Sequence, residues 1–184
     1  MQNVLSLNSP LQTRLYNPAK NSLLQKLVLV IMGNLLLALS AKSSIPMTPV
    51  PVTMQTLAVL LIGMSYGWRL GSITVLAYLV EGLVGMPVFA SALPVTWGYL
   101  VGFLFAAAMS GWLVERGFGR YRVTTCLAGI VGMMIIYACG VIGLTNYAGF
   151  DTALTLGVKP FLLIDTLKVV FVSAVIPYLW KARQ

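Results

Sequence analysis

Six long apolar runs dominate the chain and limit what it can fold into. A membrane-spanning helix needs about 20 mainly apolar residues, and each run approaches that length. Only 9% of the 184 residues are charged and the mean hydropathy is +0.90, which leaves too little polar surface for a water-soluble domain. We therefore predict an all-α, polytopic membrane protein, a compact bundle of six transmembrane helices. The runs cover about residues 23–41, 52–66, 70–85, 96–114, 123–143 and 161–180.

The runs divide the chain into a tail and one membrane domain. Residues 1–22 are polar and irregular and predict a cytoplasmic or interfacial N-terminal tail, whereas residues 23–184 form the predicted transmembrane domain. In an alternative, residues 27–39, followed by small residues up to Ala41, are the core and cleavage site of a secretory signal. Cleavage would leave five spans in the same orientation. The 22 preceding residues are long for such a signal, so six spans are favoured.

Basic residues indicate the orientation, because cytoplasmic loops of membrane proteins carry an excess of lysine and arginine. With the N-terminus in the cytoplasm, nine basic residues lie inside, two lie outside and Lys168 lies within a span. Both termini are therefore predicted to be cytoplasmic. The net charge of +8 is mainly a topology signal, so no nucleic-acid partner is predicted. The inner set is Arg14, Lys20, Lys26, Arg69, Arg116, Arg120, Arg122, Lys181 and Arg183, and the outer set is Lys42 and Lys159.

Proline and glycine mark the connections between the spans. Pro46, Pro49 and Pro51 forbid a continuous helix over residues 45–53 and favour extended backbone there. A charge-free loop with two prolines follows the third run, at residues 86–95. The longest connection, residues 144–160, contains a predicted short helix at 151–157.

Several residue types needed for catalysis are missing from the sequence. Without histidine the chain has no serine–histidine triad and no histidine metal ligand, and no metal site is predicted. Cys126 and Cys139 form no redox motif, and the sequence contains no P-loop for ATP. An intramembrane hydrolase with a Ser–Lys pair is an alternative, but Ser173 lies five positions after Lys168 and so on another helix face. No catalytic residue is therefore predicted.

Ionisable side chains within a span cost about 2.5–3.5 kcal/mol each on insertion scales and therefore indicate functional sites. Glu81, Asp165 and Lys168 are such residues, and all three are predicted in the outer half of the bilayer. A cluster of this kind predicts a small-molecule pocket that opens outward. Further residues predicted in the outer half are Thr53, Gln55, Trp97 and Tyr99, and the predicted apolar walls are Trp97, Tyr99 and Phe89.

Structural roles for these groups remain open alternatives. Asp165 and Lys168, three residues apart, can form an ion pair that only fixes helix packing. Glu81 can hydrogen-bond Tyr78 or pair with Lys168, and aromatic residues near loop ends can belong to an interfacial belt.

At these residues the chain resembles the BioY family of biotin transporters, the substrate-binding S components of energy-coupling-factor (ECF) vitamin transporters. The resemblance implies six transmembrane helices in the bacterial cytoplasmic (inner) membrane and high-affinity uptake of biotin, which is a transported substrate and not a cofactor. It also implies a transmembrane coupling protein and two ATPase subunits as partners, beside the lipid bilayer itself. The matching segments are Pro49-Val50-Pro51-Val52-Thr53-Met54-Gln55-Thr56-Leu57, Gly85-Met86-Pro87-Val88-Phe89-Ala90, Gly98-Tyr99-Leu100-Val101-Gly102-Phe103 and Pro160-Phe161-Leu162 with Asp165 and Lys168.

Carried over by this resemblance, Asp165 and Lys168 hold the polar groups of biotin, and Gln55 and Tyr99 line the same region. Lys168 would face the valerate carboxylate and Asp165 would accept from the ureido N–H groups. Three alternatives stay open: an S component for another small vitamin, a facilitator that works without partners, and a non-catalytic membrane assembly subunit.

Overall fold

The protein is a bundle of long helices in the computed structural model, which describes residues 23–91 and 93–181, with no side-chain description for residues 180 and 181. The predicted tail, residues 1–22, lies outside the described residues. A pair of two-residue strands and a short helix connect the long helices. In chain order the elements are α1 (Leu23–Lys42), β1 (Ser44–Ile45), β2 (Val52–Thr53), α2 (Gln55–Leu83), a 3₁₀ turn (Pro94–Thr96), α3 (Trp97–Leu113), a π turn (Val114–Phe118), α4 (Arg122–Ala148), α5 (Phe150–Gly157) and α6 (Lys159–Lys181).

Five helical segments of the described chain are long and apolar enough to span a membrane, and the second of them turns back on itself. Within α2, Gly67 has φ 82° and ψ 173°, a backbone conformation that is essentially restricted to glycine. Gln55 and Tyr78, 23 residues apart, are joined by a hydrogen bond of 2.7 Å, whereas a straight helix would separate them by about 35 Å. The two arms of α2 therefore correspond to the second and third predicted spans. Counted this way, the described residues form six helical passes, as the apolar runs predicted.

The α2 hairpin packs closely against α3 at small residues. A Cβ added to Gly63 would lie 2.6 Å from the carbonyl oxygen of Ala107, closer than real Cβ contacts. This close approach of the backbones is how membrane helices gain packing energy without a hydrophobic driving force between them. The arrangement places α2 and α3 in the middle of the bundle, with α4 on the other side of α3.

The first helix is less enclosed than the others. Its inner face, where Gly33, Asn34 and Leu37 are buried, packs on α2. Its outer face is a continuous surface of exposed leucine, isoleucine, valine and methionine side chains. Such a surface suits lipid, and the chain is a multi-pass membrane protein.

Three connections meet at one end of the bundle, called the loop end below: residues 43–54, residues 84–96 and the segment containing α5. In the first, Ser44 pairs with Thr53 and Ile45 with Val52 in antiparallel register, so the backbone is non-helical as predicted and extended at both ends of the segment, with a bend at residues 48–50. The predicted short helix is also confirmed and begins one residue earlier, at Phe150. The opposite end, called the turn end, carries the reversal at Gly67 and the turn between α3 and α4.

Candidate functional site

A buried ion pair lies on α6 near the loop end. Asp165 and Lys168 are 3% and 5% exposed, and the Lys168 Nζ lies 2.7 Å from the Asp165 Oδ1. The spacing of three residues places both side chains on the inner face of the helix. Each charge offsets the desolvation of the other, which an isolated charge within a bundle would lack.

Lys168 also joins α6 to the start of α2. Besides Asp165, its Nζ donates to the carbonyl oxygen of Thr53 at 2.6 Å and to the Thr56 Oγ1 at 2.9 Å. An ammonium group has three donors, and all three are therefore used within the protein. The lysine thus fixes the end of the 43–54 loop against α6.

Asp165 accepts hydrogen bonds on both oxygens. Its Oδ1 accepts from Lys168 and from the Thr56 hydroxyl at 3.1 Å, and its Oδ2 accepts from the Tyr137 hydroxyl at 2.7 Å. The carboxylate is therefore held from α2, α4 and α6 together. The sequence-based site did not include Thr56 or Tyr137. Thr56 lies within the first family motif, whereas Tyr137 carries no sequence signal, since it is one tyrosine within an apolar run.

Gln55 connects the two proline-rich loops. Its Nε2 donates to the Tyr78 hydroxyl at 2.7 Å, and this hydroxyl donates to the carbonyl oxygen of Val88 at 2.8 Å. Its Oε1 accepts from the Thr53 hydroxyl at 3.1 Å. Because Gln55 is buried, this chain of bonds fixes its amide orientation and ties both loops to α2.

Tyr99 lies at the start of α3 and reaches the far side of the site. Its hydroxyl donates to the carbonyl oxygen of Gly157, the last residue of α5, at 2.7 Å. Its ring lies 6.3 Å from that of Phe161 on α6, measured between centroids. Tyr99 therefore links α3 to the connection that precedes α6.

A cavity of about 50 Å³ lies between these groups. Five of the eight predicted site residues line it: Thr53, Gln55, Tyr99, Asp165 and Lys168. Its other polar lining comes from Thr56, Ser91, Thr96 and Tyr137, and its apolar lining from Val50, Pro51, Ala90, Leu100, Phe103, Ile136 and Phe161. The combination of one cation, one carboxylate, an amide and apolar walls suits a small ligand that has both polar and apolar parts.

Phe89, Trp97 and Glu81 lie outside this lining. The Phe89 ring packs edge-on between Tyr78 and Trp97, at centroid distances of 5.3 and 6.0 Å, and so connects the 84–96 loop to α3. Glu81 accepts a hydrogen bond of 3.0 Å from the Asn34 Nδ2 of α1. Its partner is therefore neither Tyr78 nor Lys168, the two partners considered from the sequence.

The arrangement favours binding over catalysis. The Ser173 hydroxyl donates to the carbonyl oxygen of Val170 at 2.7 Å and does not line the cavity. Lys168 is engaged by Thr53, Thr56 and Asp165. The Ser–Lys pair that an intramembrane hydrolase needs is therefore not assembled by these two residues.

Comparisons with known proteins agree with the motif-based resemblance. The family model described as the BioY family matches residues 11–184. The biotin transporter BioY2 of Lactococcus lactis is 33% identical over 162 residues, 84% of this chain and 89% of the relative. The biotin transporter BioY of Thermotoga maritima is 34% identical over 150 residues, 76% of this chain and 86% of the relative.

A solved structure has the same fold. It is the crystal structure of the S-component for biotin from an ECF-type ABC transporter, with a TM-score of 0.74 and 20% sequence identity. The match covers 88% of this chain and 95% of that one. The family match and the extent of the two relatives show that this chain belongs to the BioY family.

Proposed function

We propose that this chain binds biotin at the loop end of its bundle and takes it up across the bacterial cytoplasmic membrane. The names of its relatives as biotin transporters support the substrate. The main support for this location of the binding site is the buried Asp165–Lys168 pair, which lines one cavity together with Gln55 and Tyr99. The proposed role is that of a non-enzymatic S component.

The two charged groups match the two polar ends of biotin. The ligand has a carboxylate at the end of its valerate chain and a cyclic urea with two N–H donors. Lys168 would bind the carboxylate and Asp165 would accept from the ureido N–H groups, with Thr53, Gln55 and Tyr99 around them. Every N–H donor of Lys168 is already bonded, so a ligand carboxylate would have to replace one of its three partners. We propose that it replaces the Thr53 carbonyl, which belongs to the 43–54 loop.

The cavity has to enlarge for this ligand. Ligand sites generally enclose roughly 300–1,000 Å³, more than the space between these side chains. The 43–54 and 84–96 loops supply one wall, with Val50, Pro51 and Thr53 from the first and Ala90 and Ser91 from the second. We propose that these loops open and close over biotin. Movement of the second loop would also bring Phe89 to the ligand as an apolar wall, next to Trp97 at the start of α3.

Binding to the purified full-length chain in lipid nanodiscs tests the substrate and the site together. Labelled biotin is expected to bind, and Asp165→Ala and Lys168→Ala are each expected to lower the affinity at least tenfold, because each removes a hydrogen bond to a charged group. Tyr147→Phe, at an exposed position of α4, is the control variant. Full affinity in both site variants would refute the site while leaving the substrate.

The same preparation separates the alternatives. Binding of another vitamin in place of biotin would identify an S component of different specificity. A folded chain that binds no vitamin would favour a membrane assembly subunit. Biotinamide, which lacks the carboxylate, tests the orientation: Lys168→Ala should weaken biotin much more than biotinamide.

Active uptake would need partners, and we propose a transmembrane coupling protein with two ATPase subunits. The sequence itself contains no P-loop. Uptake of labelled biotin is measured in cells that express the chain with and without these subunits. Loss of uptake without the ATPases would support coupling, and unchanged uptake would identify a facilitator that works alone.

A further inference from the structure

A second cavity lies beside the proposed binding site, in the groove between α4 and α6. It encloses about 260 Å³ and is mainly apolar, with Ile130 and Met133 from α4 and Val169 and Val170 from α6. Both helices are long apolar segments of a membrane protein. The groove is therefore a hydrocarbon-like environment, in which a free charge is costly.

Tyr137 and Asp165 are the two residues that line both cavities. The Tyr137 hydroxyl donates to the Asp165 Oδ2 at 2.7 Å, and this contact lies at the boundary between the groove and the proposed site. The opposite oxygen, Oδ1, accepts from Lys168 and Thr56 on the other side. Among the bonds found in the described chain, Tyr137 is the only donor to Oδ2.

From this contact we propose that Tyr137 is a positioning residue for the proposed site. Its hydroxyl fixes the rotation of the Asp165 carboxylate, so that Oδ1 keeps its hydrogen bonds from Lys168 and Thr56. In this orientation the carboxylate can accept hydrogen bonds from the ligand. Without the hydroxyl, Oδ2 loses its donor beside an apolar groove, and the carboxylate can rotate about its Cβ–Cγ bond. The inference rests on the proposed function, because the group being positioned is the one proposed to bind biotin.

Tyr137→Phe tests this, since it removes the hydroxyl and keeps the ring between the two cavities. Biotin affinity is expected to fall roughly ten- to hundredfold, the range for one hydrogen bond to a charged group. Tyr147→Phe on the same helix is exposed, lies outside both cavities and is expected to bind like wild type. Gel filtration and the unfolding temperature of the ligand-free variants check that each is folded.

A double-mutant cycle with Asp165→Ala separates positioning from general packing. Tyr137→Phe is expected to add no further loss of affinity in the Asp165→Ala background. The cycle is repeated on the unfolding temperature of the ligand-free protein, which stays measurable when binding is lost. The Tyr137→Phe effect should disappear there as well, whereas a packing role would give the same effect in both backgrounds.

The possible results distinguish a failure of the positioning role of Tyr137 from a failure of the proposed biotin binding. Wild-type affinity in Tyr137→Phe would overturn the positioning role and leave biotin binding in place. Equal effects of Tyr137→Phe with and without Asp165 would overturn it too. Absence of biotin binding in the wild-type chain would refute the proposed function and the positioning role with it.

Discussion

Asp165 and Lys168 stabilise each other within the bundle, so the consequences of removing one differ from those of removing both. Without Lys168, Asp165 would lose its ion-pair partner and would retain hydrogen-bond donors only from Thr56 and Tyr137. Removing one partner of a buried ion pair generally costs about 3–5 kcal/mol, whereas replacing both with groups of similar volume is often neutral. This asymmetry is measurable apart from any effect on ligand binding.

We expect Lys168→Met to lower the free energy of unfolding by about 3–5 kcal/mol, and the double variant Asp165→Asn/Lys168→Met to recover most of that loss. Reversible unfolding in mixed detergent micelles measures both. The double variant should remain folded and still fail to bind biotin. Equal stability of the single variant and the wild type would contradict the buried pair.

Glu81 provides a second test at a single side chain, because the only hydrogen bond found for its carboxylate in the described chain comes from Asn34, outside the cavity lining. We expect Glu81→Gln to leave biotin affinity within about twofold of wild type, since ligand contacts at the cavity are unchanged. Binding to the purified variant measures this. A tenfold loss would instead support Glu81 as a ligand-binding residue, as the sequence pattern predicted.

The sequence predicted that Asp165 and Lys168 lie together in the candidate site, but it wrongly grouped Glu81 with them and did not predict Tyr137 or Asn34 as hydrogen-bond partners. Asp165 and Lys168 are recognisable because charges are rare within apolar runs. Tyr137 and Asn34 meet their partners 28 and 47 residues away, and such meetings depend on which face each helix turns toward its neighbour. Apolar run lengths carry no information about that rotation, so these contacts required the structure.

At the scale of elements, the hairpin of α2 depends on the reversal at Gly67. The backbone N–H of Trp68, at the start of the second arm, donates to the Glu115 carboxylate at 3.1 Å. A carboxylate is favourable at a helix N-terminus, where unpaired N–H groups and the helix dipole are both available. The π turn that follows α3 therefore supports the reversal that gives α2 two passes.

Gly67→Ala is expected to lower the free energy of unfolding by about 1–3 kcal/mol, because an L-residue is strained at this φ and ψ. Gly117→Ala is the matched control: Gly117 has φ 100° and ψ −1°, nearer the left-handed region, and a Cβ there meets only the Arg120 side chain at 3.9 Å. Its cost should be clearly smaller. Unfolding of both variants in mixed micelles compares them, and equal costs would contradict the special role of Gly67.

The helical elements were predictable because run length and hydropathy decide which segments span a membrane. The proline-rich segment was correctly predicted as non-helical, with extended backbone at its two ends. Its attachment to α6 was not predicted, because the bond from Lys168 goes to the backbone carbonyl of Thr53. A backbone acceptor leaves no mark in a sequence. The same applies to the Gly157 carbonyl that receives the Tyr99 hydroxyl.

For the whole molecule, the distribution of basic residues between the two ends bears on orientation. Arg69, Arg116, Arg120 and Arg122 are exposed around the turn end, whereas Lys42 and Lys159 are the exposed basic residues of the loop end among those described. The excess at the turn end favours its placement in the cytoplasm. The proposed site would then open to the outside, where an imported vitamin is found.

Labelling of single cysteines in whole cells tests this orientation. Cys126 and Cys139 are first replaced by alanine, and cysteine is then introduced at Met47 of the first loop or at Arg120 of the turn end, both exposed. A membrane-impermeant maleimide should label Met47→Cys in intact cells and Arg120→Cys only after permeabilisation, because the bilayer separates the two ends. The parent without cysteine controls for background. Labelling of Arg120→Cys alone in intact cells would show the opposite orientation, with the cavity at the cytoplasmic side. That result would be incompatible with capture of biotin from outside.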